Sequence, residues 1–111
     1  MSVVEVLKRV SRIGKSLSII LPSSMARSLG IESSTVLYAY AEGGRIVYSL
    51  NPPDKPVPFI VVKPRVQSRY RNIRYYALTI PSLLAKELGI REGDSVSIRC
   101  GEGRIYVSKG E

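Results

Sequence analysis

The chain contains one unit twice. Shifted by 59 residues, Leu21-Pro22-Ser23-Ser24-Met25-Ala26-Arg27-Ser28-Leu29-Gly30-Ile31 falls on Ile80-Pro81-Ser82-Leu83-Leu84-Ala85-Lys86-Glu87-Leu88-Gly89-Ile90. The same shift lays Gly44-Arg45-Ile46 on Gly103-Arg104-Ile105. No gap is needed from Pro22 to Ser49, and ten of those 28 positions are identical, so the match is a true duplication. A unit of about 45 residues can hardly bury enough apolar surface alone, whereas two can share a core. Residues 1–50 form the first repeat, residues 51–58 a linker and residues 59–111 the second repeat. The linker, Asn51 to Pro58, has four prolines in eight residues. Prolines cannot donate to a ladder and favour extended geometry. This segment reads as a semi-stiff spacer, long enough to carry the chain across a small domain.

Each copy has the same grammar. Leu17, Ile19 and Leu21 alternate with Ser16, Ser18 and Ile20, the period of a half-buried strand, and Tyr76, Leu78 and Ile80 repeat that face. Pro22 and Pro81 stop those strands. A helix of about two turns follows, Ser23 to Leu29 and Ser82 to Leu88, with Met25, Ala26 and Leu29 or Leu84, Ala85 and Leu88 as its buried stripe. Gly30 and Gly89 fit the left-handed position that ends a helix, and Ile31 and Ile90 can fold back beyond it. A second hairpin comes next. Val96, Ile98 and Cys100 alternate with Ser95, Ser97 and Arg99, Gly101-Glu102-Gly103 turns the chain, and Ile105 and Val107 return it. In the first copy Leu37, Ala39, Ala41, the Glu42-Gly43-Gly44 turn, Ile46 and Tyr48 take those places.

The net charge is +8, and its placement says more than its size. No acid occurs between Val6 and Ile31, where Lys8, Arg9, Arg12, Lys15 and Arg27 fall. None occurs from Lys55 to Lys86 either, a stretch that also carries Lys63, Arg65, Arg69, Arg71 and Arg74. Those two stretches hold 12 of the 17 bases and none of the nine acids. Charge segregated in this way, with Tyr70, Tyr75 and Tyr76 interleaved, is the footprint of nucleic-acid binding, since arginine forks suit phosphates and guanine edges.

Several function classes drop out. The chain has no histidine and one cysteine, which excludes histidine catalysis, Cys/His zinc sites and an internal disulfide. No nucleophile–base pair is evident, so an enzyme is not expected, nor a cofactor or metal. Gly14-Lys15-Ser16 lacks the earlier glycine of a phosphate loop and leads into a strand. Apolar runs are far shorter than the ~20 residues of a membrane span, and no apolar signal core begins the chain. A reducing cytoplasm is the expected compartment. Glu87, Glu92 and Asp94 read as turn and surface residues, Arg45 and Arg104 as structural, and Cys100 as a small buried side chain.

A strand ending in an apolar-Pro step, then a short helix closing on Leu-Gly-Ile, then Gly-Asp and a hairpin, resembles the AbrB/SpoVT-like family. The second copy carries Ile80-Pro81 … Lys86-Glu87-Leu88-Gly89-Ile90-Arg91-Glu92-Gly93-Asp94-Ser95-Val96. The first carries Arg12-Ile13-Gly14-Lys15-Ser16 and Leu21-Pro22 … Leu29-Gly30-Ile31, with Ser34-Thr35 in place of Gly-Asp. Together these cover nearly the whole chain. The resemblance implies a mainly β fold with short helices, a swapped-hairpin β-barrel in which two units interleave their hairpins, here with pseudo-twofold symmetry. It also implies DNA contact by basic residues of the N-terminal hairpins. In copy two Ile73 stands where copy one has Gly14, so the turns of those hairpins differ.

The expected partner is therefore double-stranded DNA, bound as by a transcriptional regulator. Its candidate contacts are Lys8, Arg9, Arg12, Lys15, Arg65, Arg69, Arg71 and Arg74 on the hairpins. Arg27 and Lys86 join them as phosphate contacts, although neutralising a helix dipole explains that pair equally well. An antitoxin of the same fold is the alternative, and a protein-interaction module with an acidic partner is the rival from another class. Outward positions of the second hairpins also differ between copies. Copy two shows Ser95, Ser97 and Arg99, whereas copy one shows Val36, Tyr38, Tyr40 and Val47. Such a patch on a nominally wet face predicts a homodimer through repeat one, unless the proline linker or a terminus folds over it.

Overall fold

The computed structural model describes residues 5–71 and 73–109. The fold is mainly β with two short helices, and each repeat contributes five strands and a helix in the same succession. The first repeat runs β1 (Glu5–Arg9), β2 (Ser11–Ile13), β3 (Ser16–Leu21), α1 (Ser23–Leu29), β4 (Leu37–Glu42) and β5 (Arg45–Ser49). The second runs β6 (Ile60–Val62), β7 (Arg65–Tyr70), β8 (Ile73–Ile80), α2 (Ser82–Leu88), β9 (Ser95–Gly101) and β10 (Arg104–Lys109).

The helices begin and end as the residues require. Pro22 and Pro81 sit at φ −55 and −56, pre-set for the entry to a helix. Gly30 (φ 67) and Gly89 (φ 69) close them in the left-handed conformation. The amide of Ile31 then donates to Ala26 O at 2.9 Å and that of Ile90 to Ala85 O at 2.8 Å, which folds both buried isoleucines back onto the core.

Strand exchange builds the two sheets. One has the order β1-β9-β10-β5-β4-β6 and the other β2-β3-β8-β7, with every pairing antiparallel. The N-terminal strand of each repeat adds to the C-terminal hairpin of the other: β1 pairs with β9, and β6 with β4. Each of these edge strands continues into the second sheet. At the first crossing buried Val10 donates to Asp94 O at 2.8 Å and accepts from the Gly93 amide at 2.8 Å. The two sheets are thus joined along both edges.

The sheets enclose one core. Its buried cluster draws Ile19, Leu21, Met25, Leu37, Ile46 and Tyr48 from the first repeat, and Leu78, Ile80, Leu84, Val96, Ile105 and Val107 from the second. All six pairs are counterparts under the 59-residue shift, with Tyr48 standing where copy two has Val107. Its buried hydroxyl donates to Thr79 O at 2.8 Å, so one polar bond crosses between the repeats inside the core. Cys100 is half-buried against the same cluster.

The expected wet patch on repeat one is corrected. Tyr40 is 4% exposed and Val47 0%, while Val36 and Tyr38 are half-buried. Val47 lies in one cross-strand row between Tyr40 and Tyr106, whose bulk flanks it on both sides. The linker and the start of the second repeat lie beside this face. Phe59 packs edge-on against Tyr38 with ring centroids 5.3 Å apart. Pro53, Asp54, Lys55 and Val57 line a cleft together with Tyr40 and Arg104. Tyr40 and Val47 are thus buried within the chain and Val36 and Tyr38 partly so, whereas the exposure expected of them as a dimer contact is not found at Tyr40 and Val47.

Candidate nucleic-acid interface

The four-stranded sheet collects the segregated charge. Its strands and its two hairpin turns carry Arg12, Lys15, Arg65, Arg69, Arg71 and Arg74 and no acid. Because β3 and β8 run antiparallel, the turn after β2 lies at one end of the sheet and the turn after β7 at the other. β8 is eight residues long, about 26 Å at ~3.3 Å per residue. The turns lie just beyond its ends, so they are separated by about 30 Å or a little more, close to the ~34 Å helical repeat of B-DNA.

At each end a cleft forms between the hairpin of one repeat and the helix of the other. Arg12, Lys15 and Lys86 line the first with Ser82 and Ile90. Arg27 and Arg74 line the second with Ser23 and Ile31. Lys15 and Arg74 are counterparts under the repeat, as are Arg27 and Lys86. The strand exchange therefore brings hairpin and helix bases together twice, which spacing along the chain cannot show.

Other candidates sit elsewhere. Lys8 and Arg9 lie on β1, paired with Val96 and Ser95 in the six-stranded sheet, and line neither cleft. Arg65 is exposed on the edge strand β7, opposite Ala77. Arg71 is exposed at the second turn, its guanidinium 5.3 Å from the Tyr70 ring centroid. Arg69 shares a register position with Arg74, and its side chain lies outside the described part of the structure.

Arg12 has a partner that sequence reading did not assign. Its Nε donates to Glu92 Oε1 at 3.0 Å and a terminal nitrogen to Lys15 O at 3.3 Å, all at exposed positions. Glu92 precedes β9, and the fold carries it 80 residues back to the first hairpin. Asp94 accepts from the Arg91 amide at 2.9 Å, the work of a turn residue. Arg45 lies over the Tyr106 ring at 4.2 Å on the six-stranded sheet, a structural contact. Lys109 donates to Gly89 O at 2.8 Å and so caps the end of α2.

Residues 74–111 match the family of antidote-toxin recognition MazE, a bacterial antitoxin. The match starts within β8 and takes in α2 and the β9–β10 hairpin. It agrees with the observed strand exchange in pointing to a swapped-hairpin type of fold. No curated protein and no solved structure matches the chain. Among the described residues no helix is long and apolar enough to cross a membrane.

Proposed function

We propose that this chain binds double-stranded DNA as a transcriptional regulator, a tandem AbrB-like protein whose two repeats form the two halves of one binding face. The observation that carries this reading is the four-stranded sheet, which spans both repeats, bears six bases with its turns and bears no acid. Binding of this kind needs no cofactor and no catalytic step. Phosphate neutralisation supplies affinity, and release of condensed counterions makes it fall with salt.

The test is an electrophoretic mobility shift with random duplexes over a salt series. If about six bases each neutralise a phosphate, log K falls against log salt with a slope of about −5. A slope near −1, or no binding at about 50 mM salt, overturns the reading. The match over residues 74–111 favours a second reading, in which the same barrel is also an antitoxin. A toxin encoded beside this chain would then arrest growth, and co-expression of this chain would relieve the arrest.

A further inference from the structure

We infer that the two basic hairpins engage DNA unequally: the β7–β8 ribbon reads base edges while the β2–β3 turn holds backbone, so the bound site is not a palindrome. This rests on the DNA-binding reading above and goes beyond it, because a twofold protein would ordinarily read two like half-sites.

The asymmetry is visible in the register. Lys8 faces Val96 as Val62 faces Leu37, so these positions correspond. From Lys8 to Leu17 is nine residues, but from Val62 to Tyr76, the counterpart of Leu17, is fourteen. One of the five additional residues enters the bulge between Val66 and Ser68. The other four form two further pairs, Arg69↔Arg74 and Tyr70↔Ile73, where the first hairpin has already turned through Gly14 and Lys15. The ribbon thus reaches about 7 Å further, at ~3.4 Å per pair.

Chemistry differs along with length. The shorter turn offers Lys15, which among the described residues has no ion-pair partner, a point charge suited to a phosphate; Arg12 beside it is held by Glu92. The longer ribbon offers exposed Arg71 and Arg74, with Tyr70 61% exposed and Ile73 39% exposed. Arg71 holds φ 50 at the tip, a conformation glycine adopts freely and arginine does not. A two-stranded ribbon fits the major groove, and an arginine fork there pairs with guanine. The exposed tyrosine and isoleucine beside it supply the apolar contact that thymine methyls accept.

Selection of preferred sites from random duplexes by the full chain, followed by Arg71→Gly and Lys15→Ala variants, tests this. The selected site is expected to be non-palindromic, with its base preference concentrated at one end. Arg71→Gly relieves the backbone at the tip, so its fold is retained; it should lower affinity for the selected site about tenfold relative to unrelated duplex. Lys15→Ala should weaken both duplexes alike. A palindromic site overturns the inference, as do two variants with the same ratio of losses, or binding with no preferred site. Absence of any duplex binding by the wild type would instead overturn the DNA-binding reading itself.

Discussion

Ile19 of β3 lies directly across from Leu78 of β8, its own counterpart in the second repeat. The six-stranded sheet does the same at Val47 of β5 and Tyr106 of β10. Two self-paired positions, one in each sheet, define a single pseudo-twofold axis through the core. The repeats are halves of one structure, each completed by the other's strands.

Cooperativity should follow from that shared axis. Ile19→Ala and Leu78→Ala each remove a side chain that is 0% exposed, at an expected cost of about 2–5 kcal/mol. Denaturant unfolding should show one transition in the wild type and in both variants, shifted to lower midpoint. Two separable transitions would mean that the repeats fold independently.

Tyr48→Phe should lower stability by about 1 kcal/mol through loss of the hydrogen bond to Thr79 O. Burial pushes the Tyr48 phenol to a higher pKa, so the neutral donor persists across the working pH range. The expected drop in Tm is about 4 °C for a chain of this size. An unchanged Tm would show that the bond adds nothing to the packing of the ring.

The covered hairpin face gives an opposed pair of outcomes. Tyr40→Arg should destabilise the monomer, because it forces a charge beneath the linker at a position that is 4% exposed. Phe59→Ser should uncover Tyr38 and promote self-association, readable by light scattering. If Tyr40→Arg instead leaves Tm unchanged and dissociates a wild-type dimer, the linker does not cover this face in solution.

Glu5 ties β1 to β9. Hydrogen bonding to Ser97 and the Arg99 guanidinium, whose nitrogen lies 2.7 Å from Oε2, holds the Glu5 carboxyl below its ordinary range. A depressed carboxyl stabilises the fold above its unfolded pKa and loses that contribution as pH falls through the folded one. Wild type should therefore exceed Glu5→Gln in β1 amide protection near neutral pH, and the two should converge in acid well below the ordinary Glu value. A difference that is constant with pH would deny the ion pair its role.

Glu92→Gln should release Arg12. If Arg12 then neutralises a phosphate, duplex affinity rises and the salt slope steepens by up to about one. An unchanged slope would leave Arg12 as a surface ion-pair partner, a contact of small worth to stability.

Much was legible in the residues alone. Alternation along Leu17, Ile19 and Leu21, the stops at Pro22 and Pro81 and the left-handed ends at Gly30 and Gly89 are local effects, and the elements fall where those signals put them. The basic stretches were legible too, since charge segregation needs no geometry. What misled was the outward face of β4 and β5. Alternation tells which side of a sheet a residue faces, but it does not say whether a later segment lies over that side. Tyr38, Tyr40 and Val47 lie on the outward side, yet Phe59 packs on Tyr38, and Val47 lies between Tyr40 and Tyr106 in one cross-strand row.

By itself the sequence determined the two units, their strands and helices, and the runs of chain that carry charge, because periodicity, proline, glycine and charge all act within a few residues. Only the tertiary structure decided which unit completes which. The pairings β1 with β9 and β6 with β4 join residues up to 94 positions apart, as in the Glu5–Arg99 ion pair. Such pairings are chosen by burial of a common core, a property of the assembled chain. The same exchange sets Lys15 beside Lys86 and Arg74 beside Arg27, and leaves Lys8 and Arg9 on the other sheet.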